Sequence, residues 1–304
     1  MKAEREKIME VTSPFKEVTF PTPMQMVYRQ AKRHTGFLIG GTVLLLIVIV
    51  ALAAPILAPH DPYEQDLDAR LAGPIWHEEG TWNHILGTDN LGRDYLSRLM
   101  YGARISLLIG VMAMLISGVI GTILGVSAGY FGGRVDMVVS AIITTRLALP
   151  IMLSALAVVA LVGGSLPIVV LVLGLMIWNR FALVMRASTQ QLRSMDYVNA
   201  AKTSGCSTLR IIISEIMPNI MNNLIVVATL EITRAILIEA GLSFLGMGVQ
   251  PPLPSWGLMV AEAKEFMLFS PWMIMIPGSA IFALVLSINL LGDGIRDITA
   301  PEGR

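Results

Sequence analysis

Four charged residues lie within otherwise apolar stretches of this sequence, namely Arg146, Glu231, Arg234 and Glu239. A charge near the middle of a membrane-spanning helix costs roughly 2.5–3.5 kcal/mol on insertion scales, so such residues usually face a bundle interior or a wet cavity. Glu231 and Arg234 are three residues apart, so they share a helix face and can pair. These groups either line a path for a substrate that carries both signs of charge or form structural ion pairs. Arg180 lies near the end of its apolar stretch and can extend to the membrane surface.

A second pattern, Gly125-x-Ser127-x-Gly129, matches the nucleophile turn of serine hydrolases. That turn follows a strand, whereas this segment is a long apolar stretch typical of a membrane helix. An intramembrane serine hydrolase would also need a histidine base within another apolar stretch, and all four histidines lie outside such stretches. Together with Gly121, the glycines repeat every four residues, which favours a small-residue stripe for close helix packing.

Three histidines, His60, His77 and His84, share a polar segment with several acidic residues. Histidines beside carboxylates could bind a metal ion, but this spacing matches no compact ligand set. The His77-Glu78 pair also lacks the second histidine of a zincin motif. We therefore predict a folded polar segment here and no metal site.

The elements that position these residues follow from the composition. Of the 304 residues, 54% are hydrophobic and 14% are charged, and the mean hydropathy is +0.68. Soluble domains usually carry about 25% charged residues, so the deficit indicates a chain surrounded by lipid. Several apolar stretches are long enough to cross a bilayer, which predicts an all-α integral membrane protein with six transmembrane helices. The predicted spans are residues 35–57, 105–130, 135–162, 166–185, 220–244 and 271–291.

The distribution of basic residues predicts the orientation of these spans. If the N-terminus is cytoplasmic, the inner segments hold 14 Lys or Arg residues and the outer segments hold 5. Because cytoplasmic loops carry the basic excess, both termini are predicted to be cytoplasmic. The net charge of zero gives no sign of a nucleic-acid partner, and we expect contacts with membrane lipid. The sequence also contains no Gly-x4-Gly-Lys-Ser/Thr loop that would cradle ATP phosphates.

The long inner segment, residues 186–218, has a pattern of its own. Asp196 or Ser194 can cap the start of a helix. Gly205 suits the left-handed turn that ends one, and Pro218 can stop a second helix before the next span. The segment therefore predicts a helix, a sharp glycine turn and another helix on the cytoplasmic side. An ordinary amphipathic loop resting on the membrane is the alternative.

This inner segment resembles the EAA loop of ABC importer permeases, in which Glu-Ala-Ala is followed by a glycine and later by a proline. Two positions depart from that pattern, because Asn199 stands where the family usually has Glu and Met217 where it usually has Leu. The resemblance implies that this loop couples the permease to an ATPase. The implied coupling loop includes Asp196, Tyr197, Asn199, Ala200, Ala201, Gly205, Arg210 and Pro218.

Three further stretches resemble the C-type permeases of dipeptide, oligopeptide and nickel importers. They are residues 87–94 (Gly-Thr-Asp-Asn-Leu-Gly-Arg-Asp), residues 239–257 and residues 289–297. With the EAA-like loop, the matches run in order across residues 36–301. On this resemblance the chain is identified as a member of the peptide/nickel-type ABC permeases.

The resemblance implies a type I ABC importer permease fold with a cytoplasmic coupling helix in the bacterial inner membrane. It also implies a heterodimer with a homologous second permease, two cytoplasmic ATPase subunits on the coupling loop, and an extracytoplasmic substrate-binding protein. ATP and Mg would be held by the ATPase subunits, so this chain is expected to be a transport subunit without a cofactor or an enzymatic activity of its own. An ATP-independent carrier is the alternative within transport.

The resemblance and the span pattern divide the chain into four regions. These are a cytoplasmic tail (1–34), an N-terminal transmembrane helix with an extracytoplasmic segment (35–103), a type-1 transmembrane domain (104–292) and a second cytoplasmic tail (293–304). The extracytoplasmic segment is expected to touch the binding protein. Di- or oligopeptides are the predicted substrates, and nickel complexes, glutathione and opines are the alternatives within the same architecture.

Overall fold

The computed structural model describes residues 23–78 and 80–299, and within these ranges every regular element is a helix and there is no strand. The terminal parts of the two predicted tails, residues 1–22 and 300–304, lie outside the described residues. The helices are α1 (Pro23–Arg33), α2 (Thr35–Leu57), α3 (Tyr95–Phe131), α4 (Gly133–Ala148), α5 (Ile151–Val162), α6 (Leu166–Met176), α7 (Asn179–Arg193), α8 (Asp196–Thr203), α9 (Thr208–Arg210), α10 (Met217–Phe244), α11 (Trp256–Ala263) and α12 (Trp272–Thr299). A π-helical stretch, Ile211–Ile216, joins α9 to α10.

Four helical stretches of the described chain are long and apolar enough to cross a membrane. They are α2, α3, α12 and the stretch Leu166–Arg193, which contains α6 and α7. Helices α4 and α5 add a fifth crossing if they are counted as one broken span, because the chain bends by 84° between them. The predicted membrane-spanning helical architecture is therefore present, but six spans are not confirmed.

The departures from six spans have local causes. Pro150 lacks a backbone N–H and disfavours helix at the residue before it, and Leu149 is extended (φ −94°, ψ 125°) where α4 ends. The predicted third span is therefore bent in the middle. Helix α10 has 28 residues, which is ample length for a crossing. Its content of Glu231, Arg234 and Glu239 makes it less apolar than the other candidates.

Helices α3 and α7 pack closely along the predicted glycine stripe. A Cβ added at Gly121 would lie 2.5 Å from the Phe181 Cβ, and one added at Gly125 would lie 2.9 Å from the Met185 Cβ. A Cβ at Gly129 would lie 2.7 Å from a side-chain carbon of α7. Any larger residue would therefore push the two helices apart. The hydrolase-like pattern lies inside the continuous helix α3, whereas a nucleophile turn follows a strand.

Helix α2 packs against the last helix, α12, through two further glycines. A Cβ at Gly40 would lie 2.8 Å from the Leu290 Cβ, and a Cβ at Gly294 would lie 2.7 Å from the Phe37 Cβ. The opposite side of α2 leaves large apolar side chains such as Ile56 exposed. A helix with this distribution is held to its neighbour by close packing and presents its remaining surface to lipid.

A buried ion network fixes the polar segment that follows α2. Arg93 Nε lies 2.7 Å from Asp89 Oδ2, and Arg93 Nη2 lies 3.2 Å from Glu262 Oε1. Arg98 Nη1 lies 2.8 Å from Glu262 Oε2 and also pairs with Asp89. Three of these four side chains are almost completely buried, and Glu262 is mostly so. The network ties the polar segment to the start of α3 and to α11. It includes two residues of the 87–94 stretch, which the sequence indicated only by its resemblance to other permeases.

Candidate functional site

The elbow, defined here as residues 196–210, consists of α8, a glycine turn and α9. Gly205 has φ +76°, which is the left-handed conformation that favours glycine. Its N–H donates to the Lys202 carbonyl at 3.0 Å, and the Cys206 N–H donates to the Ala201 carbonyl at 3.1 Å. These two bonds form a Schellman motif, which satisfies the last carbonyls of a helix. The predicted helix–turn–helix is therefore present, with Gly205 at the turn.

One face of the elbow is anchored in the protein and the opposite face is open. Val198 is fully buried and packs with Ile211 and Ile216 of the π-helical stretch. On the open face, Ala200 is exposed and Leu209 is 67% exposed. Small and apolar residues that are open to solvent, on an element anchored from its other face, are suited to contact with another protein.

Two local details on either side of the elbow differ from the sequence prediction. The N-cap position of α8 is occupied by Met195, and Asp196 is the first helical residue. The Ser194 hydroxyl instead donates to the Gln191 carbonyl at 3.0 Å, at the end of the preceding helix. Pro218 lies in the first turn of α10, so the chain stays helical there and does not stop. A proline is tolerated at that point because the first turn needs no N–H from it.

Asn199 occupies the position at which the resemblance leads one to expect a glutamate. Its Nδ2 donates to the Ser194 carbonyl at 3.4 Å, and its Oδ1 lies 3.5 Å from the Lys202 Nζ. Tyr197 and Arg210 are exposed on the same elbow. The neutral Asn199 side chain is therefore in contact with residues in the elbow and just before it.

An ion pair fixes α7, the helix that leads into the elbow. Asp136 of α4 accepts a hydrogen bond from Arg186 Nη2 at 2.9 Å and is also paired with Arg186 Nε. Gln190 Nε2 donates to the same carboxylate at 3.4 Å. The pair holds α7, which leads into the elbow, against α4.

Four charged side chains lie near one another on α4, α7 and α10, and we call them the charge cluster (Arg146, Arg180, Glu231 and Arg234). Glu231 Oε1 lies 3.6 Å from Arg234 Nη1 and 3.5 Å from Arg180 Nε. The Glu231 side chain is fully buried, whereas the Arg180 side chain is about half exposed. The predicted Glu231–Arg234 pairing is therefore present. The sequence pattern did not indicate Arg180 as the second partner, since Arg180 lies on another helix and nothing in the local pattern links it to Glu231.

Arg146 is the fourth member of the cluster, and it forms no ion pair with a carboxylate among the described residues. Its Nη2 donates to the Met176 carbonyl at 3.0 Å, and its Nη1 donates to the Leu149 carbonyl at 3.3 Å. Arg146 and Arg234 both line a cavity of about 200 Å³, together with Asn179. Two guanidinium groups, those of Arg180 and Arg234, thus face the Glu231 carboxylate, and Arg146 shares the cavity with Arg234. Within the described chain, the lining of this cavity contains two guanidinium groups and no carboxylate, so the cavity can receive an anionic group.

Glu239 lies on the same helix as Glu231 but belongs to a different environment. It accepts hydrogen bonds from the Ser243 Oγ at 2.8 Å and from the Ser255 Oγ at 3.0 Å, and it is almost completely buried. A Cβ added at Gly257 would lie 2.9 Å from Glu239 Oε2, so the start of α11 packs directly on this carboxyl group. This geometry favours a structural role, in which Glu239 joins α10 to α11.

Comparison with known proteins agrees with these features. Residues 121–302 match the family described as binding-protein-dependent transport system inner membrane component. Residues 22–74 match the N-terminal TM domain of oligopeptide transport permease C. The chain is 42% identical over 281 residues to the dipeptide transport system permease protein DppC of Escherichia coli (strain K12), covering 92% of this chain and 94% of that protein.

A second relative and a solved structure extend the comparison. The chain is 41% identical over 285 residues to the di/tripeptide transport system permease protein DppC of Pseudomonas aeruginosa (strain UCBPP-PA14), covering 94% of each. It is similar in fold to the solved inward-facing MetNI methionine ABC transporter, with a TM-score of 0.55 and 17% identity over 66% of this chain and 96% of that chain. The predicted resemblance to peptide-type ABC permeases is thereby confirmed. The chain belongs to the family of binding-protein-dependent transport system inner membrane components.

Proposed function

We propose that this chain is one permease subunit of an ATP-driven importer and forms half of the path by which short peptides cross the bacterial inner membrane. Its relatives carry the names of dipeptide and di/tripeptide permeases and match it over nearly its whole length. This favours di- or oligopeptides over nickel complexes, glutathione or opines as the substrate. A homologous second permease supplies the other half of the path.

The observation that carries the proposal is the continuous helical connection between the elbow and the charge cluster. From Thr208 the chain stays helical through the π-helical stretch to Phe244, and this helix carries Glu231 and Arg234. In the proposed mechanism, two cytoplasmic ATPase subunits bind ATP and Mg and dock on the open face of the elbow. Their closure moves the elbow as a rigid lever and tilts α10 relative to the helices that carry Arg146 and Arg180.

The proposed topology has six crossings with both termini in the cytoplasm. It counts α10 as a crossing, because its charges are held within the bundle and need not face lipid, and it counts α4 and α5 as one broken crossing. The excess of basic residues on the elbow side supports this orientation. The polar segment after α2 then faces outwards, where an extracytoplasmic substrate-binding protein delivers the peptide.

We assign Arg146 and Arg234 a direct role in substrate recognition, while Glu231 and Arg180 serve as the ion pair that positions Arg234. A peptide carries a carboxylate at its C-terminus, and the cavity is lined by the guanidinium groups of Arg146 and Arg234 and by no carboxylate of the described residues. Guanidinium groups are well suited to bind carboxylates because their planar fork matches the two oxygens.

Uptake by the assembled transporter in proteoliposomes tests both parts of this proposal. The wild-type complex should accumulate a dipeptide only when ATP is supplied to the ATPase side. In Arg146→Gln, we expect the KM for a dipeptide with a free carboxylate to rise about 10- to 150-fold, which corresponds to the loss of about 1.5–3 kcal/mol from a charged hydrogen bond. The KM for the corresponding C-terminal amide should change little.

A matched control is Arg193→Gln, which removes an exposed arginine at the end of α7 and leaves the cavity intact. It should leave the ratio of the two KM values unchanged. Equal losses for the free and amidated peptides in Arg146→Gln would exclude carboxylate recognition by Arg146 but not peptide import. Accumulation of the peptide without ATP would instead contradict the import mechanism itself and favour a carrier.

A further inference from the structure

The polar segment between α2 and α3 contains a pocket in which two histidines and an aspartate converge. His84 Nδ1 lies 3.0 Å from Asp94 Oδ1, and His60 Nδ1 lies 3.7 Å from the same oxygen. One possible ligand atom from each of the three residues lies within 4.8 Å of the others. The pocket has a volume of about 120 Å³. The linear spacing of the histidines had given no sign of this cluster.

The distances suit a small transition-metal ion. In a tetrahedral zinc site, bonds of about 2.0–2.1 Å place neighbouring ligand atoms about 3.3–3.4 Å apart. The two measured distances, 3.0 and 3.7 Å, lie on either side of that value. Small rotations of the imidazole rings of His60 and His84 would therefore complete three coordination positions around one ion. Water would take the fourth position, as in zinc sites that keep one position open.

A single residue, Ser97, holds Asp94 and His60 in place through hydrogen bonds. The Asp94 Oδ2 accepts hydrogen bonds from the Ser97 N–H at 2.8 Å and from its hydroxyl at 2.7 Å, which leaves Oδ1 facing the imidazoles. The backbone N–H of His60 donates to the same hydroxyl at 3.1 Å. Metal-binding carboxylates are usually fixed by such outer hydrogen bonds. The Asp94 side chain is 1% exposed, so this part of the site is rigidly built.

An unpaired imidazole nitrogen and the acidic residues around the pocket also favour binding of a cation. The buried Nδ1 of His60 has no hydrogen-bond partner within residues 23–78 and 80–299, whereas buried polar atoms are normally paired. The His60 side chain is 30% exposed, so an ion can reach it from solvent. Asp61, Glu64 and Asp66 line the same pocket and attract cations toward it. Imidazole ligands combined with a carboxylate suit zinc-like ions, whereas magnesium and calcium prefer oxygen ligands alone.

We propose that His60, His84 and Asp94 form a binding site for one divalent transition-metal ion of the zinc type. The bound ion would link the chain that leaves α2 to the N-terminal end of α3. It would thereby clamp the segment that, in the proposed topology, faces the substrate-binding protein. The metal site itself stands on the pocket geometry and does not depend on the transported substrate.

Zinc binding to the complete transporter complex, purified without a polyhistidine tag, tests this site. The complex is treated with EDTA, dialysed, and then equilibrated with Zn²⁺, and the bound metal is measured by mass spectrometry. We expect the wild type to hold one more Zn²⁺ per copy of this chain than His60→Gln or His84→Gln holds. Changes around metal ligands lower the affinity by about 10–100-fold, so loss of a ligand should weaken binding at this site by about 100-fold or more.

His77→Gln is the matched control, because His77 belongs to the same segment and stacks near the Trp272 ring outside the pocket. It should bind as much Zn²⁺ as the wild type. Co²⁺ in place of Zn²⁺ should give the visible absorption of a tetrahedral site in the wild type and in His77→Gln but not in His60→Gln. Equal metal content and equal Co²⁺ spectra in the wild type and His60→Gln would overturn the proposal. His60→Gln keeps the backbone bond to Ser97, and its uptake activity reports whether the complex is still assembled.

Discussion

Replacement of Gly205 isolates the contribution of the elbow to transport. Gly205 has φ +76°, and an added Cβ would meet open space in the described part of the chain. The penalty of a larger residue therefore comes from the backbone conformation alone, at about 1–2 kcal/mol for a residue other than glycine. This penalty lowers the equilibrium ratio of the formed glycine turn to the frayed turn by about 5- to 30-fold. Asparagine tolerates this conformation better than alanine, and a β-branched residue tolerates it least.

The expected order of ATP-coupled uptake is therefore wild type, Gly205→Asn, Gly205→Ala and Gly205→Val, from highest to lowest. Uptake is measured in proteoliposomes, and the amount of inserted complex is measured in parallel and should stay constant. The control is Gly133→Ala, since Gly133 also has a positive φ (+50°) and open space around its Cβ within the described residues, but lies outside the elbow. Unchanged uptake throughout the Gly205 series, or an equal loss in Gly133→Ala, would refute the claim that this turn transmits force.

Two further predictions concern buried polar groups that hold helices together. Glu239→Ala leaves the hydroxyl groups of Ser243 and Ser255 without their acceptor, so we expect a loss of stability of about 1–3 kcal/mol, seen as a lower melting temperature, with an unchanged KM; a selective rise in KM would instead assign Glu239 to the substrate path. Arg98→Met leaves the Asp89 carboxylate with one partner fewer in a buried network, so we expect about 3–5 kcal/mol of destabilisation and a lower yield of assembled complex. A melting temperature equal to that of the wild type would show that the network is dispensable.

The features that sequence alone predicted are those governed by local rules. Gly205 identified the elbow because a left-handed helix end requires glycine there. The spacing of Gly121, Gly125 and Gly129 identified a packing face because four-residue spacing places small residues on one side of a helix. The pairing of Glu231 with Arg234 was predicted for the same reason, since residues three apart share a helix face.

The features that sequence alone missed depend on residues that are distant in the chain. Arg180 reaches Glu231 from another helix, and His60 meets His84 because the polar segment folds back on itself. The bend at Pro150 was missed because the apolar composition continues through it, although proline is a local signal that could have indicated it. The N-cap of α8 was predicted at Asp196 or Ser194, but Met195, which lies between them, occupies that position.

Docking of an ATPase subunit on the elbow is the central claim, and site-specific photo-crosslinking tests it most directly. A photoreactive amino acid is placed at Ala200, on the open face of the elbow, or at Leu268, which is 83% exposed in the loop before α12. In the assembled transporter, we predict a crosslink from position 200 to an ATPase subunit and none to that subunit from position 268. A crosslink to the ATPase from position 268 but not from position 200 would contradict the proposed docking and the orientation of the chain.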